Sequence, residues 1–331
     1  MNAAGAAPGR PWKGKWSVKK RSWMGMLAIN AALSLMATQA GASENGTSFY
    51  LLGSKGPMAG VVPPPGLYLQ NDIYYYTARA DESQALPTGG QVAIGLKAQA
   101  LINLPTLIWS TPYRLLGGRL ALGATLPYGH QEVDASLVLG PYAGRTGNRI
   151  TTMGDPVLTG TLGWDNGPFH WSLIGMVNVP VGHYREGSMA NIAFHRWGAD
   201  VSMAGTWYDP AVGWDVSGVV GVTFNGENPK TKYRTGTEWH LEAAVSRDIG
   251  GPDTTLGAIG YYHQQITDDS GDGAVLGGFR GRTAALGLTA SHTSKWGNTP
   301  IQARVKVLRE FDTRNRVRGT AAYLTLSLPF Q

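Results

Sequence analysis

The 331-residue chain contains no cysteine, which excludes disulfide frameworks, Cys-based zinc sites and thiol catalysis. Beyond residue 43 it has no apolar run near the ~18 residues of a membrane-spanning helix, so helical spans are excluded there. It also lacks a charge excess once its first 42 residues are set aside. Six of the 28 basic residues and none of the 22 acidic ones fall in that leader. The remainder is balanced, and the formal charge of +6 gives no argument for a nucleic-acid partner.

The leader reads as a secretory signal. Arg10, Lys13, Lys15, Lys19, Lys20 and Arg21 precede an apolar stretch from Met24 to Ala37, followed by the small-x-small site Ala40-Gly41-Ala42. The stretch is short of the ~20 residues a spanning helix needs. Cleavage is expected after Ala42 or after Ala40. Residues 43–66 form a Gly/Pro-rich lead-in ending in Val61-Val62-Pro63-Pro64-Pro65-Gly66. Consecutive prolines cannot donate ladder hydrogen bonds, so this is not a strand. It is expected on the periplasmic side or folded up into a barrel mouth as a plug, with residues 57–66 gating the lower opening.

What the chain does have is alternation. From Leu67 to Phe330 it breaks into about twelve segments with period-2 character: 67–78, 91–104, 119–131, 156–165, 168–180, 196–208, 212–225, 237–249, 254–266, 281–293, 300–311 and 316–330. Connections after odd segments read as long, polar and Gly-rich, the longest at about 132–155; those after even segments read as tight turns. Asn166-Gly167 is the strongest of the hairpin signals. In the eleventh segment Ile301, Ala303, Val305 and Val307 oppose Gln302, Arg304, Lys306 and Glu310. Segments near the ~9–11 residues of a tilted membrane strand, with loop lengths alternating in step, predict an all-β fold: a transmembrane antiparallel β-barrel of about 12 strands, short periplasmic turns and long extracellular loops. The eight tryptophans after the leader, mostly near segment ends, suit two interfacial girdles. The chain is therefore expected in the bacterial outer membrane, with membrane lipid, lipopolysaccharide and the outer-membrane assembly machinery as partners. An apolar-alternating last strand with Phe330 next to the end resembles the signal that machinery reads.

Candidate lumen-facing residues are Gln70, Asp72, Lys97, Gln99, Arg119, Asp200, Asp215, Glu242, Arg304, Lys306 and Glu310. Tyr74, Tyr76, Tyr261 and Tyr262 are candidates for an aromatic mouth. The mixed signs predict no strong ion selectivity, and matched charges could equally pack the lumen shut. Catalysis is not expected: Ser172 with His170, and Ser291 with His292, have no evident third orienting residue. Asp268-Asp269-Ser270-Gly271-Asp272-Gly273 looks like half a calcium loop, but Phe279 stands where position twelve needs an acid. No cofactor or resident metal is expected.

Several short stretches together resemble the phenol meta-pathway (SphA-like) family of outer-membrane proteins. They are Phe49 to Ser54 leading to Pro64-Pro65-Gly66, Gly154-Asp155-Pro156, Pro180-Val181-Gly182-His183-Tyr184, Tyr233-Arg234-Thr235-Gly236, Gln264-Gln265-Ile266-Thr267-Asp268 and Asn315-Arg316-Val317-Arg318-Gly319. The likeness runs over nearly all of the chain after the leader and departs from the family at His183. It implies a porin-like channel for passive uptake of small aromatic or hydrophobic compounds, linked to aromatic degradation. The alternative is a structural or adhesive barrel with a closed lumen and functional surface loops.

Overall fold

The structure, a computed structural model, describes residues 48–80, 85–88, 91–139, 142–274, 277–278 and 280–330. The signal segment 1–42 and the first residues of the lead-in lie outside the described residues. The strands are β1 (Gly66–Arg79), β2 (Ala85–Thr88), β3 (Gln91–Ile94), β4 (Lys97–Leu115), β5 (Gly118–Thr125), β6 (Tyr128–Leu139), β7 (Tyr142–Met153), β8 (Val157–Asn166) and β9 (Phe169–Asn178). There follow β10 (Gly198–Asp209), β11 (Trp214–Asn225), β12 (Glu227–Asn228), β13 (Tyr233–Arg234), β14 (Glu238–Asp248), β15 (Thr254–Gln265), β16 (Arg282–Trp296), β17 (Thr299–Arg314) and β18 (Arg318–Phe330).

Twelve of these close a ring in the order β1-β18-β17-β16-β15-β14-β11-β10-β9-β8-β5-β4, and β4 pairs back onto β1. The ring is antiparallel throughout and leaves no open edge in the wall. Leu67 lies opposite Phe330, so the wall begins and ends at one rim. Alternation then decides what each residue faces. Leu101, Leu107, Leu173, Met203, Leu256 and Leu288 point outward and are 44–71% exposed. So continuous an apolar belt is not a surface for water; with ring closure it is the lipid-facing band of a membrane barrel. Trp109, Trp171 and Trp214 stand on the outer face toward the rim that carries both barrel termini, and Trp197 stands at the other rim, as interfacial rings do.

The short turns lie at the rim of the termini. Between β4 and β5 the turn is only Leu116-Gly117, both at positive φ (51° and 78°), where the sequence suggested a turn spanning Pro112 to Gly118. Asn166 still pairs with Phe169, so the two-residue loop is Gly167-Pro168, with Gly167 at φ 60°. The hairpin was legible; its register is one residue later than the Asn-Gly pair suggested.

Three expectations about connections are corrected. The stretch at 132–155 is no loop: β6 and β7 pair over their full lengths as a hairpin rising beyond the barrel. β6 continues β5 in the same register against β4 past Leu126-Pro127, and Gly154-Asp155-Pro156 separates β7 from β8. The second segment, placed at 91–104, is divided: β3 belongs to a small hairpin with β2, and the wall strand is β4, running to Leu115. The connection after the eleventh segment is short, with only residues 315–317 between β17 and β18.

Candidate functional site

A twelve-stranded ring is wider than the eight-stranded kind that side chains alone can fill. Here the extra space is occupied by the chain's own residues 48–65. The segment enters at the Gly66 rim, where Arg119 Nη1 donates to the carbonyls of Val62 and Pro63 (both 3.0 Å) and Ser110 Oγ donates to Pro63 O (2.7 Å). Further in, Gly60 N donates to Thr206 Oγ1 (2.9 Å), and Met58 N to Asp215 Oδ2 and Ser217 Oγ (both 3.0 Å). A Cβ at Gly60 would stand 2.7 Å from His170 O, so only glycine lets the backbones come this close. Arg304 Nη1 reaches Pro57 O (3.2 Å), and Lys306 Nζ donates to Gly53 O and Ser54 O (2.7 and 2.6 Å). Gly53, at φ 82°, turns beneath Leu308 and Tyr323.

Toward the far rim Tyr50 donates to Glu242 Oε1 (2.9 Å) and stacks on His240 at 3.5 Å between centroids. Ser48 Oγ donates to Glu238 Oε2 (2.8 Å), which also accepts from Asn225 Nδ2 (3.2 Å). His263 Nε2 lies 3.0 Å from Glu238 Oε1, and His240 Nε2 lies 2.9 Å from Asp200 Oδ2. The segment thus crosses the described lumen held by polar side chains on strands all around the ring. Asp200, Asp215, Glu242, Lys306 and Glu310 are all buried. A strand-free, Pro-rich segment cannot satisfy its backbone by ladders, and these side chains supply what ladders would.

Two apolar groupings flank this polar column. Tyr74, Tyr76, Tyr261 and Tyr323 line one side; Tyr76 and Tyr261 both donate to Glu310 (2.8 and 2.9 Å), and Tyr74 lies 4.9 Å from the Tyr323 ring. At the rim away from the termini, Met189, Ala190 and Ile192 from the 179–197 connection turn inward against Ala78, Leu96, Val133 and Ile150. This is an apolar cap over the lumen.

The sequence motifs build clasps between the connections at that rim. Gly154-Asp155 and Pro180-Val181-Gly182 meet: Asp155 accepts from Gly182 N (2.9 Å), Phe194 N (2.8 Å), His195 N (2.9 Å) and Asn178 Nδ2 (3.1 Å). A Cβ on Gly182 would overlap Gly154. Tyr184 stacks on His195. A second clasp joins Tyr233, Gly236 and the stretch Gln264 to Asp268, but its centre is Asp269, which accepts from Tyr233 OH, Gly236 N and Gln265 Nε2 (2.6, 2.9 and 2.7 Å). Asp268 instead pairs with Arg280 at the surface (2.8 Å), and Thr267 Oγ1 accepts from Thr237 N (2.7 Å). Gln264 lies on the outer face, where it accepts from Tyr262 OH. Arg316 is buried beside His263, and Gly319 N donates to Glu310 (2.6 Å). Replacing Asp155 by Ala removes four acceptor contacts, a local loss of about 3 kcal/mol, so trypsin will cut the folded barrel after Arg185 on the order of a hundredfold faster. Unchanged cleavage would show that the cap is held elsewhere.

Gln70, Asp72, Arg119, Asp200, Asp215, Glu242, Arg304, Lys306 and Glu310 all face inward, with Tyr74, Tyr76 and Tyr261. Lys97 and Gln99 do not: they share the outer face of β4 with Leu101 and Leu107, and Tyr262 shares the outer face of β15 with Leu256. The reversal at β4 has a physical cause. Above the bilayer the wall faces water outside and the apolar cap inside, so Ala98, Ala100 and Ile102 turn inward and the polar residues outward. The residues missed by sequence reasoning are Tyr50, Glu238, His240, His263, Asp269 and Tyr323. Glu238, His240 and Glu242 share one parity in the eighth segment, and that signal was readable. His170 lies against Asp165 (2.6 Å), Ser291 against Thr255 (2.7 Å) and His292 against Thr254 (2.8 Å); neither Ser–His pair is brought together.

A cavity of about 580 Å³ lies outside the lumen column, where β7 has no further strand beside it. Arg149, Met153, Val181, His183 and Arg185 are among the residues around it.

Residues 83–326 match the model of a family described as "Putative MetA-pathway of phenol degradation". No curated protein sequence matches. Among solved structures, the COG4313 outer membrane channel from Pseudomonas putida F1 is 16% identical with a TM-score of 0.65, over 84% of this chain and 100% of that one, a likeness of fold. A Pseudomonas aeruginosa FadL homologue is 10% identical with a TM-score of 0.44, over 84% and 93%. The CymD monoaromatic hydrocarbon channel is 10% identical with a TM-score of 0.42, over 81% and 90%.

Proposed function

The chain belongs to this phenol-degradation family, and from that membership we propose that it is an outer-membrane channel for passive uptake of small aromatic or hydrophobic compounds, closed at rest by its own residues 48–65. The observation that carries the reading is the construction of the block. The segment is joined to the wall by individual side-chain hydrogen bonds, an aromatic stack and the apolar packing of Tyr50 and Leu52 rather than by strand pairing, so it can leave without dismantling the barrel. The tyrosines beside it offer a displaced or bypassing ring a surface of matching chemistry. The Pseudomonas putida relative of the same fold is itself named a channel.

The reading includes export by the leader 1–42 and insertion by the assembly machinery through the strand that ends at Phe330. It assigns no catalytic role to the Ser and His residues. A second reading, a structural or adhesive barrel with a permanently closed lumen, draws on how completely the segment's polar contacts are matched. Uptake of labelled phenol at low concentration by intact cells, with and without the gene, separates the two. Slower uptake on deletion, restored by the gene, is expected of the channel; equal uptake would favour the closed barrel.

A further inference from the structure

On the outer face of the wall, Arg318 of β18 lies opposite Arg79 of β1, and Arg79 lies opposite Lys97 of β4. All three are exposed, and each has the parity of lipid-facing residues on its own strand: Leu324 on β18, Tyr75 on β1, Leu101 on β4. Three cations therefore stand in one lateral row, neighbours about 5 Å apart at Cβ. Like charges directly opposite one another oppose sheet formation, and no ion pair joins any of the three to another described residue. Asp134, opposite Lys97 on β6, ends the row, and the nearby Arg149 is already matched by Glu132 (3.1 Å). One rung closer to the apolar band, Arg309 adds a fourth exposed cation, donating to Thr320 Oγ1 (2.7 Å).

The height of the row selects its counter-ion. Arg79 is four residues from Tyr75, about 13 Å along the strand, and Tyr75 and Leu101 begin the lipid-facing band. The row thus stands at headgroup level on the rim opposite the chain termini, which for a barrel of this kind is the outer leaflet. A soluble anion would be free to exchange with bulk water there; a phosphate fixed to a membrane glycolipid brings its acyl chains onto the adjoining apolar wall.

We propose that Arg79, Lys97 and Arg318 form a docking row for the phosphorylated glucosamine headgroup of the outer-leaflet glycolipid, lipid A. The inference rests on the outer-membrane placement of the barrel and is independent of what, if anything, crosses the lumen. Its test is direct binding of purified bis-phosphorylated lipid A to the full mature barrel in detergent, with monophosphoryl lipid A and phosphatidylglycerol as further probes. At roughly fivefold per cation near an anionic surface, the triple variant Arg79→Gln/Lys97→Gln/Arg318→Gln is expected to bind bis-phosphorylated lipid A about a hundredfold more weakly. The loop variant Lys230→Gln/Lys232→Gln keeps wild-type binding, and monophosphoryl lipid A loses less on substitution. A triple variant that keeps its lipid A affinity overturns the proposal. So does an equal loss of phosphatidylglycerol, which would make the row a general anionic-lipid contact. Heat-modifiable migration in gels establishes that each variant is folded. Should the triple variant misfold, the singles decide: a severalfold loss at Arg79→Gln or Arg318→Gln supports the row, and no loss at either overturns it.

Discussion

Deleting residues 44–62 turns a silent barrel into a conducting one. In planar bilayers the full-length protein is expected to show little ion current, and the deleted form to show discrete steps with conductance raised on the order of tenfold or more. The reason is geometric. The wall is a closed ring whose register does not depend on the segment, while the column at its centre is made of the segment's backbone. Removing it exposes Asp215, Glu242, Arg304 and Lys306 to a continuous water path. It also leaves Lys306 without the Gly53 and Ser54 carbonyls and Glu242 without Tyr50, so the lining solvates rather than collapses. A synthetic peptide of residues 44–62, added back, should suppress the steps. If the deleted barrel is folded and still silent, the cap built on Met189 and Ile192 closes the lumen by itself.

The converse experiment locks the rim end of the segment in place. Val62 lies against β8 so closely that a Cβ added at Gly163 would stand 3.1 Å from Val62 Cβ. Disulfides favour about 3.8 Å between Cβ atoms, so a small shift lets Val62→Cys and Gly163→Cys bond. The natural chain has no cysteine to compete. Oxidised cells carrying this pair should take up labelled phenol as slowly as cells lacking the gene, and reduction should restore the rate. Uptake that ignores the cross-link would mean that solute passes without moving the rim end of the segment, and the gating role of residues 57–66 at the lower opening would fall while the channel reading stood.

How much of this was readable beforehand differs by residue, for physical reasons. Leu173 on β9 and Val305 on β17 could be assigned to a face because strand side chains alternate regardless of partner. Lys97 and Gln99 could not, because facing inward means facing polar groups inside the bilayer and an apolar cap above it, and nothing local tells where the bilayer stops. The hairpin of β6 and β7 reads as a loop in the sequence because Gly144, Gly147 and its many polar residues lack a lipid-facing pattern; its strands are stabilised by each other outside the membrane. Asp155 was singled out through its motif, yet its role as acceptor for Phe194 and His195 depends on a contact across some forty residues.

By itself the sequence determined the strand segments, most of their faces, most of the tight turns and hence an antiparallel membrane barrel. Each of these follows from spacing within a few residues, and backbone geometry converts such spacing directly into structure. Only the tertiary structure decided that the ring closes β1 on both β18 and β4, that the clasps centre on Asp155 and Asp269, and that residues 48–65 run through the lumen. The last has no periodicity to read. Its position is set by single polar contacts such as that of Lys306 with Gly53, 253 residues apart in the chain, which exist only once the wall has brought their partners around one axis.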